Sequence, residues 1–175
     1  MTYYIWENGG KTVKIKKGRH VRWAVLLLAA VLTACSSGES PDIYAEAGET
    51  VHTGLFDFVV SDISVVRSYG ILIPNDGSKL VRMDLSVTNT SDEKYTMFAQ
   101  DFQLQWGDGE EDFGTCLAAV DEDMTPYSYT LYPGDSYDSV MVVQIPEDAD
   151  KLTVAYQEKL SSGEDGSAYF VEADL

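Results

Sequence analysis

Histidine, cysteine and positive charge are scarce in this chain, which has two histidines, two cysteines and 12 Lys+Arg in 175 residues. His52 is the one histidine after residue 34, and no serine stands in a Gly-x-Ser-x-Gly turn, so a Ser/His/Asp arrangement lacks its parts. Walker loops, dinucleotide fingerprints and zinc-ligand spacings are absent too, and no two of the many carboxylates stand out as a glycosidase pair. The chain therefore reads as non-enzymatic, with no cofactor expected. A membrane-spanning helix is also missing, because the apolar run at residues 23–34 (WAVLLLAAVLTA) is shorter than the roughly 20 residues a span requires.

What the N-terminus does hold is a basic stretch, Lys11, Lys14, Lys16, Lys17, Arg19 and Arg22, followed by that short apolar run and by Leu32-Thr33-Ala34-Cys35. This is the order of a secretory signal, in which positive residues keep the N-terminus inside while the rest is exported. Leu-Thr-Ala-Cys resembles the lipobox of bacterial lipoproteins. The resemblance implies cleavage between Ala34 and Cys35 and a diacylglyceryl group on the Cys35 sulfur, two acyl chains being enough for stable anchoring. Residues 1–34 are then a lipoprotein signal peptide, and the mature protein sits on the outer face of the cell membrane. Lipidation of Cys35 leaves Cys116 without a disulfide partner in the chain; beside Leu117 and Ala118 it reads as a small buried hydrophobe.

Residues 1–34 hold 6 of the 12 Lys+Arg and 1 of the 29 Asp+Glu, so the remainder has 6 against 28, a formal charge of −22. Such a surface repels phosphate backbones and excludes nucleic acid as a partner. Cations, basic proteins and neutral glycans remain. The 141 residues from Cys35 onward suit one domain. Residues 36–49 (SSGESPDIYAEAGE) are small, polar and acidic, the composition of a flexible tether that spans about 20 Å. The folded domain is expected over residues 50–175.

Within that domain apolar and polar residues alternate repeatedly. Phe56, Phe58 and Val60 form one such set and Val81, Met83, Leu85 and Val87 a second. Phe102, Leu104 and Trp106 follow, then Tyr137, Ser139, Met141, Val143 and Ile145, then Leu152, Val154 and Tyr156. Period two is that of a strand with one buried face. Turn residues separate the sets: Asn75-Asp76-Gly77, Asn89-Thr90-Ser91, Gly107-Asp108-Gly109, Pro133-Gly134-Asp135 and Pro146-Glu147-Asp148. Seven or more short strands without helical runs predict an all-β, immunoglobulin-like antiparallel β-sandwich, with Trp106 and the inward phenylalanines between its sheets.

The order of these motifs resembles a domain-of-unknown-function family of secreted Gram-positive lipoproteins. The shared features are a strand ending Val87-Thr88-Asn89-Thr90-Ser91, Phe102-Gln103-Leu104, Pro133-Gly134 before the next strand, and Val143-Gln144-Ile145-Pro146 at its end. The resemblance covers residues 50–157 and implies an immunoglobulin-like sandwich similar to that of secreted immunoprotective antigens. It carries over no catalytic motif.

Two features remain as candidate sites. The acidic runs containing Asp108, Glu110 and Asp112, and Asp121 and Asp123, would supply the oxygen ligands of a hard cation such as calcium if their loops met at one end of the sandwich. Solvated loops explain both runs at least as well. Tyr127, Tyr129, Tyr132 and Tyr137 suit protein or glycan contacts, yet the spacing of Tyr127 and Tyr129 places both on one face, and that face can equally be the core. The leading expectation is a lipid-anchored extracytoplasmic module contacting an envelope protein or glycan. The alternative is a cation-dependent solute-binding or sensory lipoprotein.

Overall fold

Strands form where the alternation predicts them, and turns form at the turn residues. The computed structural model describes residues 2–7, 11–16, 40–160 and 162–175, so the signal's apolar run, Ala34 and Cys35 lie outside the described residues. The strands are β1 (Thr2–Glu7), β2 (Lys11–Lys16), β3 (Asp42–Glu46), β4 (Thr50–His52), β5 (Phe56–Val66), β6 (Ser78–Asn89), β7 (Tyr95–Phe98), β8 (Phe102–Gln105), β9 (Phe113–Gly114), β10 (Ser128–Leu131), β11 (Ser136–Pro146), β12 (Lys151–Lys159) and β13 (Asp165–Asp174). Among the described residues the one helical element is a 3-10 turn at Ala99–Asp101. No described helix is long and apolar enough to cross a membrane.

β1 and β2 pair as an antiparallel hairpin within the stretch expected to be a signal peptide. The remaining strands build a β-sandwich. Its first sheet has the order β11-β6-β5-β4, its second β3-β13-β12-β8-β9, and β7 pairs with β10 as a small ribbon. Among the described residues all strand pairs are antiparallel except one: β3 runs parallel to β13, from Asp42 opposite Ala168 to Glu46 opposite Glu172. The antiparallel sandwich thus carries one parallel edge pair. Residues 42–46, expected to be tether, form that edge strand, so the domain starts ahead of Thr50. β3 is held by ladder hydrogen bonds to a strand more than a hundred residues away in sequence, which its own acidic composition does not advertise.

The core lies between the two sheets. Phe56, Phe58, Val60, Val81, Met83, Leu85, Met141 and Val143 from the first sheet meet Phe102, Leu104, Leu152, Val154, Tyr156 and Val171 from the second, all buried. Phe56, Phe58, Phe102 and Tyr156 form a cluster of mutually tilted and edge-on rings, with Phe56 and Tyr156 centroids 4.8 Å apart. Such offset geometry lets the ring edges face neighbouring π-clouds. Trp106 departs from expectation: it lies one residue past β8, half-buried at the rim of this core, with its ring over Gly114, where a Cβ would sit 3.1 Å from Cη2.

Asn89, at the end of β6, is almost fully buried and fully partnered. Its Nδ2 donates to the Glu93 and Leu131 carbonyls, and its Oδ1 accepts from the Ser91 amide and hydroxyl. The Asn-x-Ser turn read from the sequence thus also ties β6 to β10. Pro133 and Gly134, the latter at φ 81°, occupy the centre of a turn closed by the Asp135 amide on the Tyr132 carbonyl.

A second apolar layer was not expected. In β11 the residues Val140, Met141, Val142 and Val143 are all buried, so both faces of this strand are covered. Val140 and Val142 join Leu80 and Met124 on the outer face of the first sheet, with Val66, Tyr69, Leu72 and Leu117 packed over them. Segment 117–125 is laid along the free edge of β11. Val140 donates to the Asp123 carbonyl, Thr125 to that of Val140, and Leu117 to that of Val142. An edge strand covered this way offers no template for pairing with another chain.

Candidate contact surface

The start of β3 and the end of β5 lie at opposite ends of the sandwich. β3 begins at Asp42, beside Ala168, at the end where Phe56 and Tyr156 meet; β5 starts there too and carries the chain through eleven residues to Val66. At about 3.3 Å per residue that is some 35 Å. Its far part bends at a bulge between Ser61 and Ser64, where Asp62 takes a left-handed conformation (φ 49°) and Ile63 packs against the core. Ile63 lines a recess with Glu46 and Leu152, which places Val66 at the end away from Asp42.

After Val66 the chain folds back over the outer face of the first sheet and makes a tight reversal there. The Tyr69 amide donates to the Leu72 carbonyl (3.0 Å) and the Leu72 amide to the Tyr69 carbonyl (2.8 Å), leaving Gly70 and Ile71 as the turn. Gly70 has φ 54°, the positive value that a two-residue hairpin turn needs at its first central position. Tyr69 and Leu72 fold down onto the outer apolar layer. Ile71 and Ile73 are thereby held outward, 81% and 75% exposed. A Cβ on Gly70 would lie 3.7 Å from Val120 and 3.6 Å from the Asp121 carboxylate, so the exposed Val120 and the acidic 121–123 run border the tip.

Beside the tip a shallow cleft of about 630 Å³ opens on the outer face of the first sheet, lined by Tyr69, Arg82, Asp84, Glu122, Asp123 and Asp138 among others. Arg82 is forked onto Asp84 through contacts of 3.1 Å and 2.5 Å, which occupies its charge. Glu122, Asp123 and Asp138 then give the cleft a negative character. Partial desolvation, reinforced by Asp121, Asp123 and Asp84 against the opposing Arg82, pushes the Tyr69 phenol above its ordinary value. The surface is an apolar point with an anionic flank, suited to a cationic and apolar partner.

The residues singled out from the sequence are dispersed. Asp108 and Glu110 are exposed on the loop after β8, where the Asp112 carboxylate accepts the Gly109 amide at 2.8 Å. Asp121 accepts the amides of Asp123 and Met124. Both runs therefore brace their own turns, and among the described residues no three Asp, Glu, His or Cys side chains gather as a cation site would need. His52 pairs with Asp57 at 2.9 Å on the surface. Cys116 is half-buried against the core, where burial pushes its thiol up. The tyrosines separate: Tyr127 is 71% exposed with its ring edge-on to Phe98, whereas Tyr129 is turned to the core and stacks on Tyr137 at 4.4 Å. The shared face expected for Tyr127 and Tyr129 does not form, because β10 begins only at Ser128 and Tyr127 precedes its pleat. Sequence reading missed Ile71 and Ile73. Their signal was an apolar Ile71-Leu72-Ile73 beside Pro74 in a stretch outside every alternating set.

Residues 45–166 match a domain of unknown function, DUF4352. The chain belongs to the DUF4352 family. Solved structures share its sandwich at low identity. The yjhA protein of Bacillus subtilis is 19% identical, with a TM-score of 0.55 over 73% of this chain and 97% of its own. An uncharacterised β-sandwich protein of Clostridium difficile is 12% identical, with a TM-score of 0.50 over 78% and 97%. A candidate lipoprotein of Bacillus subtilis, ycdA, is 13% identical with a TM-score of 0.58; the match covers 74% of this chain but only 39% of that one. No curated protein matches the chain. The DUF4352 match starts inside β3, in agreement with a domain that begins before Thr50.

Proposed function

We propose that this DUF4352 chain is a non-enzymatic, lipid-anchored module on the outer face of a Gram-positive cell membrane, held by Cys35 and making contacts with an envelope protein or glycan. The observation that carries the reading is the placement of Ile71 and Ile73, exposed on a turn that Tyr69 and Leu72 hold against the outer face of the first sheet. An exposed apolar turn backed by a packed layer suits a protein that makes contacts. The likeness to a candidate lipoprotein and the Leu32-Thr33-Ala34-Cys35 motif support the anchor. The cation-dependent alternative loses support, since the acidic runs of Asp108 to Asp112 and Asp121 to Asp123 brace separate loops. Radiolabelled palmitate tests the anchor: the parent chain incorporates label, and Cys35→Ser abolishes it and leaves unprocessed precursor. Equal labelling of the mutant would refute the proposal.

A further inference from the structure

The tip and the cleft lie side by side, and their chemistry differs in a way that specifies what would cover both. Two isoleucines standing 81% and 75% exposed are more apolar surface than a turn needs, and a polar residue at either place would satisfy the same backbone. Because Tyr69 and Leu72 pin the turn to Leu80, Met124, Val140 and Val142, the isoleucines are presented without loss of chain freedom on binding. Their flank is anionic: Asp121 stands beside Gly70, and Glu122, Asp123 and Asp138 line the adjoining cleft, where the one arginine is already engaged by Asp84. A second copy of this chain would bring the same negative field to a negative field. An anionic lipid surface is opposed by the same charge. A basic protein segment satisfies both halves.

We propose that the 68–74 turn and the cleft beside it form a docking surface for a positively charged, apolar segment of a partner protein, with Ile71 and Ile73 as anchors and Glu122, Asp123 and Asp138 receiving its lysines or arginines. This rests on the contact-module reading and names its surface and its partner's chemistry. The test places the photo-crosslinking residue p-benzoylphenylalanine at position 71 of the full chain in living cells. Position 160, where Leu160 is 43% exposed near the tether-proximal end, serves as comparison. Mass spectrometry then maps the crosslinked peptides. The expected result is a protein crosslink from position 71 into a segment whose Lys+Arg exceed its Asp+Glu. Its yield should fall by about fivefold in Glu122→Gln/Asp123→Asn/Asp138→Asn and stay unchanged in Asp92→Asn/Glu93→Gln/Glu164→Gln, both variants melting with the parent. Crosslinks to a second copy, to lipid or to an acidic segment would overturn the proposal, as would a yield indifferent to the first variant. Crosslinks from position 160 alone would overturn this docking surface and leave the contact module standing; silence at both positions would count against both.

Discussion

Tyr129 is where a single atom has the clearest consequence. Its ring stacks on Tyr137, but its hydroxyl is buried without a hydrogen-bond partner among the described residues. An unpaired buried hydroxyl costs about 1–3 kcal/mol, so Tyr129→Phe, which keeps the stack, should stabilise the protein by about 1 kcal/mol in urea unfolding. Burial also pushes the phenols of Tyr129 and Tyr156 well above their ordinary value. Both hold their protons more tightly folded than unfolded. Their contribution is therefore intact below about pH 10, the unfolded value, and drains away above it by about 1.4 kcal/mol per pH unit per phenol. Tyr129→Phe should remove one of those two slopes. Destabilisation by the mutation, or an unchanged alkaline slope, would mean the hydroxyl is not isolated. Trp106 gives a second comparison at this scale. A fully buried aromatic such as Phe58 should cost about 3–5 kcal/mol on truncation to alanine, and the half-buried Trp106 about half as much.

β5 shows how one residue steers an element. Asp62, at φ 49°, kinks the strand and sends Ile63 toward the core. Aspartate tolerates the left-handed region, whereas a β-branched side chain there meets its own backbone. Asp62→Val should lower stability by about 1–2 kcal/mol in thermal melts, Asp62→Gly should change it little, and Val at the neighbouring exposed Ser64 should be neutral. A neutral Asp62→Val would mean that the kink is absent. The elements divide in the same way over what local sequence reveals. β5 and β6 were legible because one face of each is wet, and β8 and β12 because polar or small residues alternate with large apolar ones even where Gln105 and Thr153 are buried. β13 was not named, since Ala168 to Val171 are buried on both faces and read as a short apolar run without a period. β3 reads as tether from its own residues, because what makes it a strand is a distant parallel partner. The 70–73 turn was illegible for the opposite reason: Ile71 and Ile73 break the rule that apolar residues turn inward, and only the packing of Tyr69 and Leu72 reveals that they are held out.

For the whole molecule the governing quantity is charge. Residues 35–175 carry a formal charge of −22 and repel one another, and dissolved cations should relieve that repulsion by screening. Specific binding would look different. If Asp108, Glu110, Asp112, Asp121 and Asp123 shared one calcium ion, stability would rise with calcium as RT ln(1 + [L]/Kd), about 2.7 kcal/mol at a hundred times Kd. Magnesium would follow poorly, because it needs tighter octahedral geometry and gives up its water reluctantly. The structure argues for screening: the Asp112 carboxylate is engaged by the Gly109 amide, and that of Asp121 by the amides of Asp123 and Met124, so each acts on its own loop. Calcium and magnesium chloride at equal ionic strength should therefore raise the melting temperature by equal amounts, and sodium chloride at high concentration should reproduce most of the effect. The measurement that decides is titration calorimetry of the full chain. Saturable, calcium-selective heat that disappears in the Asp108→Asn/Asp121→Asn double mutant would mean that the two loops do close on one ion.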